Sequence, residues 1–169
     1  MNQLLKTDRT GVSGAVEKIV TAWALLGGVL LLAIIVMNVV SVIGGVVWVP
    51  FPGDFELTQI GIAIVAFSFL PYTQLTGNNV TADIFTAKAG PRTVAFLSGL
   101  AGLVAMVFAV LMLKQMYLGL QDQKTYNYTT AILLFPIWTA FVPILMSLGL
   151  LIVASVVSFL EGAKRVAGS

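Results

Sequence analysis

Apolar and polar positions alternate on a coarse scale, as four long apolar runs separated by short polar breaks. Positions 1–18 are mixed, with Lys6, Asp8, Arg9, Glu17 and Lys18, and no charged residue follows until Asp54. At about 1.5 Å per residue such a run exceeds the ~30 Å hydrocarbon core of a bilayer. It predicts a tilted transmembrane helix over 19–42, loosened beyond its end by Gly44 and Gly45, with Trp48 at the membrane interface. The run is too long for a cleaved signal peptide, and no Ala-x-Ala site follows it. Pro50, Pro52 and a Gly53-Asp54 turn close the segment. Asp54 reads as the N-cap of a second helix over 55–75, and Glu56 as a first-turn acid complementing the helix dipole. Pro71 is expected to kink or end that helix.

Thr76-Gly77-Asn78-Asn79 is a loop signature. Positions 81–89 read as a short interfacial helix with Ile84 and Phe85 on an apolar edge and Lys88 on a cationic one. After the Gly90-Pro91 break a third helix is predicted over 93–118, its apolar pattern continuing past Lys114 through Met116, Tyr117 and Leu120 as an amphipathic extension. Tyr126 and Tyr128 look like interfacial anchors within the polar stretch 121–130. A fourth helix is predicted over 131–160, carrying Pro136 and Pro143, which membrane helices tolerate when neighbours satisfy the freed carbonyls. The pattern thus predicts an all-α integral membrane protein, with four transmembrane helices in a single membrane domain over 1–169 and an interfacial helix between the second and third.

Composition narrows the chemistry. Of 169 residues, 59% are hydrophobic and 9% charged, against roughly a quarter charged in soluble domains. The net charge of +2 is small, and no basic cluster interleaved with aromatics suggests nucleic acid. Cysteine and histidine are both absent, which removes thiolate metal sites, disulfides and the commonest haem ligand and general base. No cofactor, metal site or catalytic residue is expected, and no GxSxG, HExxH or phosphate-cradling glycine loop occurs. With four helices, seven basic residues (Lys6, Arg9, Lys18, Lys88, Arg92, Lys164, Arg165) share one side and two (Lys114, Lys124) the other. The positive-inside rule then places both termini in the cytoplasm.

Helices in lipid associate by close packing at small residues. The clearest such seam is Ala95, Ser98, Gly99, Gly102, Ala105 and Ala109 on the third helix. A sparser one runs through Thr21, Ala24, Gly28, Asn38 and Gly45 on the first, and another through Ala140, Pro143, Ser147, Ala154 and Ser158 on the fourth. These seams are expected to pack helix on helix within the subunit, with the remaining apolar faces covered by lipid or a second membrane protein. The helix interiors lack ionisable groups, which transporters and proton relays usually carry. Glu56 is the nearest candidate for an ion site, and Asn38 more often bonds a neighbouring helix in such a setting.

In order along the chain, Pro52-Gly53-Asp54-Phe55-Glu56-Leu57, then Phe69-Leu70-Pro71-Tyr72, a glycine-containing loop reaching Asp83, and Phe135-Pro136-Ile137-Trp138 form a recognisable set. With them the chain resembles the small membrane subunit, the DctQ-like or Q subunit, of tripartite ATP-independent periplasmic (TRAP) transporters, over nearly its whole length. The resemblance implies a bacterial or archaeal inner-membrane protein bound to a large multi-helix permease, the M subunit, which carries the substrate and sodium sites. A periplasmic binding protein would deliver the substrate, commonly an organic acid, to the outer face. Gly53, Asp54, Glu56, Pro71, Asp83, Pro136 and Trp138 become the family-motif and interface candidates. Two other readings stay open: a stand-alone exporter using Glu56, and an anchor subunit of a membrane enzyme.

Overall fold

Four helices follow one another among the described residues: α1 Val12–Val47, α2 Asp54–Thr76, α3 Pro91–Thr125 and α4 Trp138–Ala167. They belong to a computed structural model that describes residues 12–76 and 91–167. The expected interfacial helix over 81–89 and Asp83 lie outside the described residues. All four helices are long and apolar enough to cross a membrane.

The helix bounds show where local signals sufficed. α2 falls within a residue of its expected ends and continues through Pro71, which is fully buried. α1 starts ahead of position 19 and takes in Glu17 and Lys18, both exposed. Backbone hydrogen bonding need not stop where charge begins, since Glu and Lys are good helix formers. α3 opens on Pro91, suited to a first helical turn, and extends through 116–120 to Thr125, as the pattern beyond Lys114 suggested. Its end is a Schellman motif: the Tyr128 amide donates to Gln123 O at 3.2 Å and the Asn127 amide to Lys124 O at 3.4 Å. Asn127, at φ 48°, supplies the left-handed residue this motif needs.

α4 departs most from expectation, beginning at Trp138 and not at 131. A helix from 131 would place Pro136 in its interior, losing a hydrogen bond and crowding the preceding turn. The chain instead forms a hairpin over 128–137. The Thr130 amide donates to Phe135 O at 2.9 Å and the Ile137 amide to Tyr128 O at 3.1 Å, around the bridge between Thr129 and Pro136. These two bonds flank a non-hydrogen-bonded pair, so Pro136 occupies a position that asks for no N–H.

α4 is the hub of the bundle. Ala140, Ile144, Ser147, Leu148, Leu151, Ala154 and Ser155 are buried at spacings of three and four, forming one stripe along it. Ile144, Leu148 and Leu151 cluster with Ala109 of α3, joined by Ala63, Ile64 and Phe67 of α2. Nearer the chain termini, Ala154 packs with Val20 of α1 and Leu75 of α2. On α3, Gly102 lies against the α4 backbone, where an added Cβ would sit 3.5 Å from the Phe159 nitrogen and 3.6 Å from Ser155 O. Gly102 and Ala109 therefore face α4, Ala105 is half-buried, and the side chains of Ala95, Ser98 and Gly99 fall outside the described residues.

α1 meets α2 through Gly27 and not Gly28. A Cβ on Gly27 would overlap Ser68 Oγ and come within 2.9 Å of Ser68 Cβ, whereas one on Gly28 would meet nothing within 4 Å. Most of the rest of α1 is exposed, including Leu25, Leu26, Leu32, Val39 and Val40. In a membrane-spanning helix such a face turns to the hydrocarbon interior, where lipid or a second membrane protein covers it.

Candidate functional site

Polar groups concentrate at the end of the bundle where α1 finishes, α2 starts and the 128–137 hairpin turns. The α1–α2 connection is tight because Pro50 and Pro52 forbid helix and Gly53 adopts φ 76°, a conformation costly to residues with a Cβ. Gly53 O accepts the first α2 bond from the Leu57 amide at 3.0 Å, so Gly53 is the N-cap. Asp54, expected in that role, is the first helical residue. Its Oδ1 accepts the Phe55 amide at 2.7 Å, and its Oδ2 accepts the hydroxyl of Ser41 on α1. Ser41 Oγ in turn accepts the Phe51 amide at 3.1 Å, so one buried serine ties the end of α1 to the turn and to α2.

One turn further in, Asn38 Nδ2 donates to Thr58 Oγ1 and to Ile34 O, each at 2.8 Å. This is the interhelical bond expected of a lone intramembrane asparagine. Near the other end of α1, Trp23 Nε1 donates to Ser147 Oγ of α4 at 2.9 Å.

Glu56 does more than complement a dipole. Its Oε1 accepts the Ile132 amide at 2.7 Å and its Oε2 the Leu133 amide at 3.1 Å, so both carboxylate oxygens grip the hairpin tip. The Phe135 amide, donating to Thr130 Oγ1 at 3.0 Å, closes the tip from within. Non-helical backbone near lipid is tolerated only when its polar groups are paired, and Glu56 pairs two of them. Gly53 completes the joint: an added Cβ would lie 2.5 Å from Leu133 Cγ, so the hairpin seats on the bare glycine. Trp138 opens α4 with Lys124 Nζ of α3 over its ring, 5.7 Å from the centroid.

Gly53, Asp54, Glu56 and Pro136 thus belong to one polar clasp, with Trp138 beside it. Pro71 lies in the last turns of α2, away from it. Ser41, Thr130 and the hairpin amides were missed by sequence reasoning. Only the pairing of Thr129-Thr130 with a following proline hinted at the hairpin. We expect Glu56→Gln to release one of the two held amides and Glu56→Ala both. Hydrogen exchange at Ile132 and Leu133 should then quicken by roughly an order of magnitude, with α4 core amides unchanged. Unaltered exchange in both variants would remove the clasp.

The clasp and the helix ends that meet at it fall inside a stretch matched to a known family. The model of the DctQ component of tripartite ATP-independent periplasmic transporters matches residues 34–165. The chain belongs to this family. No curated protein and no solved structure matches it. The DctQ family is one of transporter components and not of enzymes, so the chain is a multi-pass membrane subunit of a three-part transporter. The match starts within α1, at Ile34, and takes in Asn38, Ser41, the Gly53–Glu56 turn and the whole hairpin.

Proposed function

We propose that this DctQ-family chain is the scaffold subunit of a sodium-coupled, binding-protein-dependent importer of organic acids. It braces the large permease subunit and carries no substrate itself. The observation that carries this reading is the engagement of Glu56. The acid a stand-alone exporter would need has both oxygens on backbone amides of its own hairpin. Asn38 and Asp54 are likewise bonded to neighbours within the subunit. A set of polar groups used to fix helix ends suits a rigid element better than a moving one. The broad exposed faces of α1 and α3 leave ample surface for a membrane partner.

In this reading both termini lie in the cytoplasm of a bacterial or archaeal cell, by the charge asymmetry. The clasp then faces the periplasm, on the side from which a binding protein would approach. Gly53, Asp54, Glu56, Pro136 and Trp138 shape that face, while α3 and α4 seal the interior through Gly102 and Ala109.

The test is reconstitution in liposomes under an inward sodium gradient, with a panel of labelled organic acids. The chain alone is expected to take up none of them. The complete three-part transporter is expected to take up at least one, with the large permease co-purifying with this chain. Uptake by the chain alone would overturn the scaffold role.

A further inference from the structure

Between α1, α2 and the start of α4 lies a groove of about 480 Å³. Leu30, Ala33 and Met37 line it on α1, Leu57, Ile60 and Ile64 on α2, and Phe135, Thr139 and Ala140 at the hairpin end. Its lining is almost wholly apolar, and its one hydroxyl, that of Thr139, already donates to Pro136 O at 2.7 Å. That hydroxyl can still accept one bond, but a single acceptor falls short of the two to four polar partners a buried water needs.

The depth of the groove is informative. Along α2 it runs from Leu57 to Ile64, about 10 Å of helix, and it begins roughly 5 Å inside the Asp54 end. It is therefore confined to one leaflet of a ~30 Å hydrocarbon core, the leaflet on the hairpin side. Towards the other leaflet it is blind, because α1 and α4 come together there through the Trp23–Ser147 bond and the Val20–Ala154 contact. A partner helix must traverse both leaflets, so it does not fit the closed end. A hydrocarbon chain entering from one leaflet does.

We propose that this groove is a binding site for one acyl chain of a phospholipid from the hairpin-side leaflet. The chain lies parallel to α1 and fills the space between α1 and α4 that their own side chains leave open. In that half of the membrane α1 is bonded to α2 through Asn38 and Ser41, and the acyl chain supplies the packing towards α4.

The test uses the full chain in nanodiscs of phosphatidylethanolamine and phosphatidylglycerol, with a trace of phosphatidylcholine bearing a diazirine in its acyl chain. After photolysis, adducts are expected several-fold more often at Met37, Ile60 and Ile64 than at Leu32 and Val39, exposed residues on the opposite face of α1. Filling the groove with Ala33→Phe from one wall, or separately with Ile60→Trp from the other, should cause a several-fold loss of groove adducts and leave those at Leu32 and Val39 unchanged. Equal labelling of groove and control positions, or groove labelling undiminished by both fillings, overturns the proposal. So does cross-linking of a Met37→Cys variant, the sole cysteine in the chain, to a second protein chain in place of lipid labelling.

Discussion

Gly27→Leu is expected to part α1 from α2 and to lower stability by about 1–3 kcal/mol, the usual cost of overpacking a close contact. The Cβ alone would overlap Ser68 Oγ and approach Ser68 Cβ to 2.9 Å. Ser68 is buried, and its hydroxyl is committed to Val65 O at 2.7 Å, so rotating it away leaves the Cβ still in place. The helices must therefore separate, and in lipid their association rests on close packing with little hydrophobic drive behind it. Gly28→Leu is the control. It adds the same side chain one position along, where nothing lies within 4 Å, and should change stability by less than about 0.5 kcal/mol. Unfolding in mixed micelles titrated with dodecyl sulfate, followed by circular dichroism, reads both. Coincident midpoints for the two variants would mean that α1 does not cross α2 at Gly27.

Gly53→Ala comes second, with two separable costs. At φ 76° an alanine carries a backbone penalty of about 1–2 kcal/mol. Its methyl would also fall 2.5 Å from Leu133 Cγ and push the hairpin off its seat, straining the grip of Glu56 on Ile132 and Leu133. Leu133→Ala placed on top of Gly53→Ala should relieve the second cost and leave the first, giving partial recovery in the same unfolding experiment. Full recovery would show that the backbone angle contributes nothing. No recovery would show that the hairpin does not rest on Gly53.

The four spans were legible because hydrocarbon is an exacting solvent: stretches without charge can be read off directly, whatever they pack against. The ends of α2 were legible for a local reason, since Pro52-Gly53 before it and Gly77 after it are strong breaks. The start of α4 was not. Ala131 to Phe135 is as apolar as any helix in the chain, and what holds it as a hairpin tip is Glu56, 76 and 77 positions away from the amides it accepts. The place of Glu56 in the first turn describes its surroundings along the chain and not across the bundle. The same local signal points to Asp54 as a cap, whereas Gly53 caps and Asp54 reaches back to Ser41.

By itself, then, the sequence determined the number of membrane spans, their order, the family motifs and the place where acids and prolines gather. Tertiary structure alone decided that Gly27 and not Gly28 is the crossing point, that Gly102 faces α4, that Glu56 holds a hairpin, and that a groove is left between α1 and α4. The reason is physical. Lipid tails are as apolar as leucine, so hydrophobicity cannot say which face of a membrane helix meets protein and which meets lipid. That choice is made by shape and by a few hydrogen bonds, and both exist only once the helices are side by side.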